Sequence, residues 1–354
     1  MKIENLKSFF KNKNVLVTGH SGFSGSWLCH MLILMGAKVS GVSLKQLDKK
    51  SIYYKSRLKK ILYKEFFCDI RNENKFKKCI KKINPEIVFH LASQPLVSEA
   101  YKNPKITYET NVLGTMNLLN SCLSLRNIKS ILVVTSDKCY ENNENKKYFK
   151  ENDKLGGKDP YSSSKAAQEI VTQSMRDSFF LNKNCSISTA RAGNIFGGGD
   201  WAKNRIIPDY YRAVFKNKPL VLRSPNSLRP WQFIFDVLMG YILLTEKHCI
   251  SKKYEGSWNF GPNLKKVNVF NLVNRLNKFN SNKIKIKIKK NIKFNESKYL
   301  NLNNLKSKKR LKWKPLYNLD YALHTTNQWY QNCHKKEIDS ISLKQIKNYF
   351  KKLL

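Results

Sequence analysis

Tyr161 and Lys165 stand four residues apart in "YSSSK", the spacing that puts two side chains on one face of a helix. A phenol of pKa about 10 is a poor base at neutral pH. A neighbouring ammonium or a positively charged ring favours the phenolate and pulls that value down. Such a phenolate can take the proton of an alcohol while a hydride acceptor takes the hydrogen from the same carbon. A second group, Ser136–Asp137–Lys138 in "TSDKCY" (135–140), follows the apolar, β-branched run "SILVVT" and precedes the polar "ENNENKK". A hydroxyl, a carboxylate and an ammonium at the end of a buried strand cost free energy unless they are paired or used. These two groups are the candidate chemistry, and the first needs a hydride acceptor nearby.

"VLVTGHSGFSG" supplies a cradle for one. Gly19, Gly22 and Gly25 follow directly on a first strand and open a helix, with Ser21 and Phe23 between them. Glycines so placed make the tight turn, let backbone N–H groups approach a pyrophosphate, and allow close helix–strand packing. In a strand–turn–helix context this reads as a dinucleotide loop. The end of the second strand, where an acid commonly holds the adenosine ribose, carries Ser43, Leu44 and Lys45. A hydroxyl there can bond a ribose and a lysine can meet a 2′-phosphate, so these residues leave NAD and NADP both open. Asp69 in "CDIRN", with Ile70 beside it, is placed for an adenine amino group. "HLASQ" puts Leu91, Ala92 and Gln94 beneath the dinucleotide.

The elements that must carry these residues alternate. Strand-like runs at 14–18, 37–44, 65–68, 86–92, 130–135 and 186–191 are separated by helical patterns at 25–36, 72–83, 101–126 and 161–181. The helix at 25–36 reads as amphipathic and closed by Gly36. Short β-rich runs between helices predict an α/β fold, a Rossmann-type doubly wound parallel sheet. Pro- and Gly-punctuated segments after 191 predict a smaller α/β lobe from 192–230 and 262–354. A helix at 231–247 and a strand at 257–260 return to the sheet, so the nucleotide-binding domain takes 1–191 plus about 231–261. "KIKIKIKK" within 280–298 is either a loop or an edge strand guarded by lysines.

Lys and Arg number 66 against 25 Asp and Glu, a formal charge of +41. The lysines are scattered and travel with Asn and Ile, and no nucleic-acid-reading motif accompanies them. We expect no specific nucleic-acid partner. Eight cysteines form no CxxC pair and no metal-spaced Cys/His cluster, so no metal is expected. No apolar stretch is long enough to span a bilayer. The expectation is a reduced, cytoplasmic protein with no membrane partner.

GxxGxxG, Asn111 in "ETNVLGT" and YxxxK together resemble the extended short-chain dehydrogenases/reductases that act on nucleotide sugars, the NAD-dependent epimerase/dehydratase family. "HLASQPLV", "TSDKCYEN", "GGKDPYSSSKAAQE", "ARAGNIFGGGDWAKNRIIPD", "RPWQFI" and "WNFGP" extend the likeness over nearly the whole chain. They point within it to the 4,6-dehydratases of the CDP-glucose branch. The resemblance implies NAD as cofactor, with Asn111 supporting the site. It implies oxidation at carbon 4 of the hexose, loss of water across carbons 5 and 6, and hydride return to carbon 6, serving deoxysugar synthesis for surface polysaccharide. Relatives acting on dTDP-glucose carry an Asp–Glu pair where this chain has Asp137–Lys138. Asp137 would then protonate the leaving carbon-6 hydroxyl, and Ser136 would bond the carbon-4 oxygen. Lys138 would remove the carbon-5 proton or stabilise the enolate as a cation. Asn194, Arg205 and Arg229 are candidates for the hexose and diphosphate, since a guanidinium fork matches phosphate oxygens. Trp231 is either core or a platform for the base, and Asp200 and Trp201 either shape their loop or meet substrate. The same machinery serves a sugar 4-epimerase, which would not need the acid–base pair at 137–138, and a non-catalytic dinucleotide sensor is the remaining alternative. A homodimer or homotetramer packed through helices 101–126 and 161–181 is expected.

Overall fold

A computed structural model describes residues 2–143, 147–263, 267–280, 283–289 and 299–353. Strands β1 (Asn14–Thr18), β2 (Lys38–Ser43), β3 (Lys64–Phe67), β4 (Ile87–His90), β5 (Ser130–Val134), β6 (Ser186–Arg191) and β7 (Gly256–Asn259) form one sheet. Every pairing in it is parallel, in the order β7-β6-β5-β4-β1-β2-β3. The middle strands "NVLVT", "IVFH" and "SILVV" are buried almost throughout, as helices on both faces require. The expected doubly wound sheet is present. Its strand order reverses between β1 and β4, and in such sheets ligands bind outside the carboxyl ends at that point.

Helix α1 (Phe23–Leu34) is not amphipathic. It is buried without a break from Gly25 to Leu32, because the sheet covers one side and the later chain the other: Trp27 meets Phe235 edge-on at 4.9 Å. It closes as expected. Gly36 takes φ +87°, and the amides of Gly36 and Ala37 bond the Ile33 and Leu32 carbonyls at 2.9 and 3.1 Å, a glycine-dependent helix stop.

The single long helix expected near 101–126 is interrupted. Val97–Lys102 ends before Pro104, Pro104–Tyr108 follows, and a wide π turn at Glu109–Leu113 leads into α3 (Gly114–Leu123); α2 is Glu73–Ile83. Proline cannot continue the first segment. The wide turn turns Asn111 inward, fully buried, a geometry often found at functional sites. Helix α4 is Pro160–Phe179 and α5 is Ile234–His248.

Beyond β6 the chain forms short strand pairs, Ile195–Phe196 with Gln232–Phe233 and Leu228–Arg229 with Val267–Asn268. Within "KIKIKIKK", Ile286–Ile288 is a strand parallel to Leu220–Leu222, with Lys287 exposed; residues 281–282 and 290–298 lie outside the described residues. One apolar cluster runs from Ile3 to Leu353 over one sheet face. A second fills the other. A third, Cys139, Tyr140, Phe149, Ala166, Leu300 and Leu302, underlies the "TSDKCY" segment. Among the described residues no His/Cys/Asp/Glu group is arranged to hold a metal ion, and no helix is long and apolar enough to cross a membrane.

Candidate active site

The glycine loop packs backbone against backbone. Gly19 has φ +73°, and a Cβ on it would stand 2.8 Å from the Ala92 nitrogen; one on Gly25 would stand 2.2 Å from the Gly19 oxygen. Only glycine fits this cradle, which is the shape a pyrophosphate requires at the mouth of α1. The Ser43 hydroxyl donates to Ser21 Oγ at 2.8 Å, and Ser21 Oγ donates to the Leu44 carbonyl at 3.0 Å. A hydroxyl pair therefore stands where an acid is more usual, and Lys45 beside it is exposed. Leu91 and Ala92 lie against Gly19, and Phe23 reaches the turn at Gly197. Ile70 packs on Gly114. Asp69 is gripped by Arg71, whose Nη2 stands 2.7 Å from Oδ2, and this holds the carboxyl below its usual range. Asn111 brackets Gln94, accepting from its amide at 2.8 Å and donating to its carbonyl at 3.2 Å, and donates to Ser164 Oγ at 2.9 Å.

The catalytic candidates converge at the carboxyl ends of β5 and β6. Asp159 caps α4 by accepting from the Ser162 amide at 3.0 Å, and Pro160 opens the helix. That places Tyr161 in the first turn and Lys165 one turn on, both buried. In the protein alone the phenol moves opposite to expectation. Burial pushes Tyr161 up to about 12, against the neighbouring Ser136 hydroxyl and the charge of Arg205. Lys165 does not oppose this directly, because its ammonium is turned to Gln168 Oε1 at 2.9 Å and the Val134 carbonyl at 3.4 Å. Helical spacing sets the face, but the nearest carbonyl oxygens set where a buried ammonium points. Burial pushes Lys165 down to about 8, with Glu169 resisting.

Behind Lys165 runs a buried polar chain. Gln168 Nε2 donates to Thr115 Oγ1 at 2.8 Å, and Thr115 Oγ1 donates to the Asn111 carbonyl at 2.8 Å. His90 Nε2 meets Thr115 Oγ1 at 3.1 Å, and His90 Nδ1 meets Thr18 Oγ1 at 2.7 Å.

In "TSDKCY" the Ser136 hydroxyl donates to Asp137 Oδ1 at 2.9 Å and accepts from the Lys138 amide at 3.2 Å. Asp137 is 2% exposed, and its Oδ2 has no hydrogen-bond partner among the described residues. Burial pushes this carboxyl up, with Lys138, Ser136 and Arg229 pulling the other way. A buried carboxyl with a raised pKa is a proton donor. Lys138 itself is half-buried. The Asp137 carboxyl lies so close to Gly193 that a Cβ there would stand 1.8 Å from Oδ2. Gly193→Ala should therefore displace the carboxyl and lower turnover about a hundredfold, the scale of an ångström's misplacement. Steady-state kinetics beside circular dichroism checks this, and wild-type turnover in the variant would show the contact to be idle.

Arg205 pairs with Asp200 at 3.0 Å and bears on Tyr161; Arg229 bears on Asp137. Both guanidinium groups are thus brought to the cluster. Asn194, next in the chain after Gly193, is in the left-handed region, φ +49°, and its carbonyl accepts from the Gln232 amide at 3.2 Å. Trp231 is in the core, its indole N–H donating to the Val267 carbonyl at 2.9 Å. Asp200 accepts from the Ala202 amide at 3.0 Å, and Trp201 packs edge-on against Tyr330, so both shape their turn. The residue reading passed over Glu169 and Arg191, a buried pair at 2.7 Å. The signal was present: Arg191 ends the buried strand "SISTAR" as Asp137 follows "SILVVT".

The model of the GDP-mannose 4,6 dehydratase family matches residues 16–326. A CDP-glucose 4,6-dehydratase of Salmonella typhimurium is 37% identical over 348 residues, covering 94% of this chain and 97% of that protein. Among solved structures, epimerase Mth375 of Methanothermobacter thermautotrophicus aligns with a TM-score of 0.80 at 20% identity, covering 93% of this chain and 95% of that one. A dTDP-glucose 4,6-dehydratase of Bacillus anthracis, in complex with NAD, aligns with a TM-score of 0.75 at 22% identity, covering 91% and 97%. At these identities the solved structures speak for the fold alone.

Proposed function

The chain belongs to the GDP-mannose 4,6 dehydratase family, and from that premise we propose that it is an NAD-dependent nucleotide-sugar 4,6-dehydratase that converts CDP-glucose to CDP-4-dehydro-6-deoxyglucose. The observation that carries the reading is Asp137, a buried carboxyl with a raised pKa, beside Ser136 and within electrostatic reach of Tyr161. A 4-epimerase has no use for that acid.

The glycine loop, the Ser21–Ser43 hydroxyls, Asp69, Ile70, Leu91, Ala92, Gln94 and Asn111 would hold NAD, which would supply a reversible hydride acceptor for carbon 4 and carbon 6. Tyr161 takes the carbon-4 hydroxyl proton, with Ser136 bonding that oxygen and Lys165 supplying positive charge. A carbonyl at carbon 4 makes the carbon-5 proton acidic. Lys138 removes it, or stands as a cation beside the developing enolate. Asp137 protonates the carbon-6 hydroxyl, which leaves as water, and carbon 5 takes up a solvent-derived proton when carbon 6 regains its hydride. Arg205, Arg229 and Asn194 hold the diphosphate and hexose. In this reading residues 1–191 with about 231–261 carry the cofactor, and 192–230 with 262–354 the nucleotide sugar. The enzyme works in the cytoplasm as a homodimer or homotetramer. The exposed Ile106, Leu113, Ile170 and Phe179 on the helical segments around α3 and α4 suit such packing.

Purified protein should release NAD on denaturation. Incubated with CDP-glucose in heavy water, it should yield a 4-keto-6-deoxy product with deuterium at carbon 5. NADP(H) as the retained nucleotide would sink the cofactor assignment, and CDP-galactose as the product would convert the reading to an epimerase.

A further inference from the structure

We propose that Glu169 and Arg191 are positioning residues that hold the "TSDKCY" turn in register with the Tyr161–Lys165 helix for the elimination step. The inference rests on the dehydratase reading. The two side chains are 2% and 3% exposed and pair at 2.7 Å. A buried ion pair is weak evidence for stability, since well-packed apolar residues serve that end equally well. What matters is what this one touches.

Glu169 lies one turn beyond Lys165 on α4 and reaches the start of the turn, where its Oε1 accepts a hydrogen bond from the Thr135 hydroxyl. Its Oε2 accepts from Thr189 Oγ1 at 2.6 Å. Arg191 reaches the other end: Nη1 donates to the Tyr140 hydroxyl at 2.7 Å and to the Glu151 carbonyl at 2.9 Å. The guanidinium also lies 4.8 Å over the Tyr140 ring. Tyr140 is locked in turn, donating to Asn259 Oδ1 at 2.7 Å and stacking on Phe149. One ion pair therefore ties down residues 135 and 140, the two ends of the segment that carries Ser136, Asp137 and Lys138.

The main chain beyond Arg191 makes the third tie. The Ala192 carbonyl accepts from the Asp137 amide at 3.3 Å, and Gly193 abuts the Asp137 carboxyl. Glu169 thus belongs to the helix of the oxidation groups, and Arg191 to the strand that seats the elimination acid. Their pairing fixes one set against the other.

Thr135→Val and Tyr140→Phe each remove a single hydroxyl tether while leaving the ion pair, and with it the Glu169 charge that supports the Lys165 ammonium, whole. In both variants carbon-4 oxidation should stay within about threefold of wild type, while loss of water slows about ten- to a hundredfold. Reduced cofactor should accumulate, deuterium exchange at carbon 5 should slow, and KM for CDP-glucose should stay within about twofold. A purely structural pair would instead lower the melting temperature and depress both steps together. That pattern, or a wild-type balance of the two steps in both tether variants, overturns the proposal. Wild-type enzyme that does not dehydrate CDP-glucose would sink the parent reading instead, which keeps the two failures apart.

Discussion

Tyr161→Phe should lose about a hundredfold or more in turnover, the scale of removing a positioned acid–base group, while CDP-glucose binding hardly changes. The ring packs in the first turn of α4, buried, so the substitution keeps shape and deletes one oxygen. That oxygen is held protonated in the protein alone, because burial pushes it up to about 12. Ser136 and Arg205 already pull the other way, and positive charge arriving beside it pulls further. The loss should fall on the oxidation step, so single-turnover hydride transfer should slow as much as steady-state turnover. Turnover surviving nearly intact would show that the Tyr–Lys pair is not the oxidation machinery.

Asp137→Asn and Lys138→Ala should divide the reaction. Both leave Tyr161 and Lys165 in place, so oxidation at carbon 4 continues. Without the acid, the carbon-6 hydroxyl departs as a poor leaving group, and 6-deoxy product should fall about a hundredfold or more. The 4-keto-hexose should remain bound and the absorbance of reduced cofactor should persist. Asn at 137 accepts and donates hydrogen bonds in the same volume, but it has no proton to give. Deuterium exchange at carbon 5 separates the two variants. Asp137→Asn should keep exchange while blocking loss of water; Lys138→Ala should slow exchange if the lysine is the base. Loss of both reduced cofactor and exchange would mean that the pair serves binding or oxidation, and the roles given to "TSDKCY" would fall.

Local features were legible where the physics is local. The strand runs, the glycine loop and the Tyr161–Lys165 spacing each follow from a few adjacent residues. The burial of α1 on every side was not, because Phe235 and its neighbours, which cover the outer face, lie some two hundred positions away in the chain. Nor was the wide turn at Glu109–Leu113, since nothing in "ETNVL" but its place beside Gln94 demands an inward Asn111. The direction of the Lys165 ammonium depends on Gln168 and on the Val134 carbonyl from another element. Glu169 and Arg191 are 22 residues apart on a helix and a strand, and only the assembled sheet makes them partners. Charge at the end of an apolar strand was the readable clue. It was followed at Asp137 and missed at Arg191.

The buried chain behind Lys165 has a fixed proton order. Thr115 gives its only hydroxyl proton to the Asn111 carbonyl, so it must receive from both Gln168 and His90. His90 is therefore protonated on Nε2. Burial, followed by the charge of Lys165, pushes the imidazole down to about 3 and keeps it neutral; Nδ1 is then bare and receives the Thr18 hydroxyl. A histidine near an active site is the first suspect for proton transfer, but both nitrogens of this one are already committed, in a single tautomer. The one proton of Thr115, committed to the Asn111 carbonyl, thus sets both the tautomer of His90 and the amide end of Gln168 turned toward Thr115, which leaves the Gln168 carbonyl for Lys165.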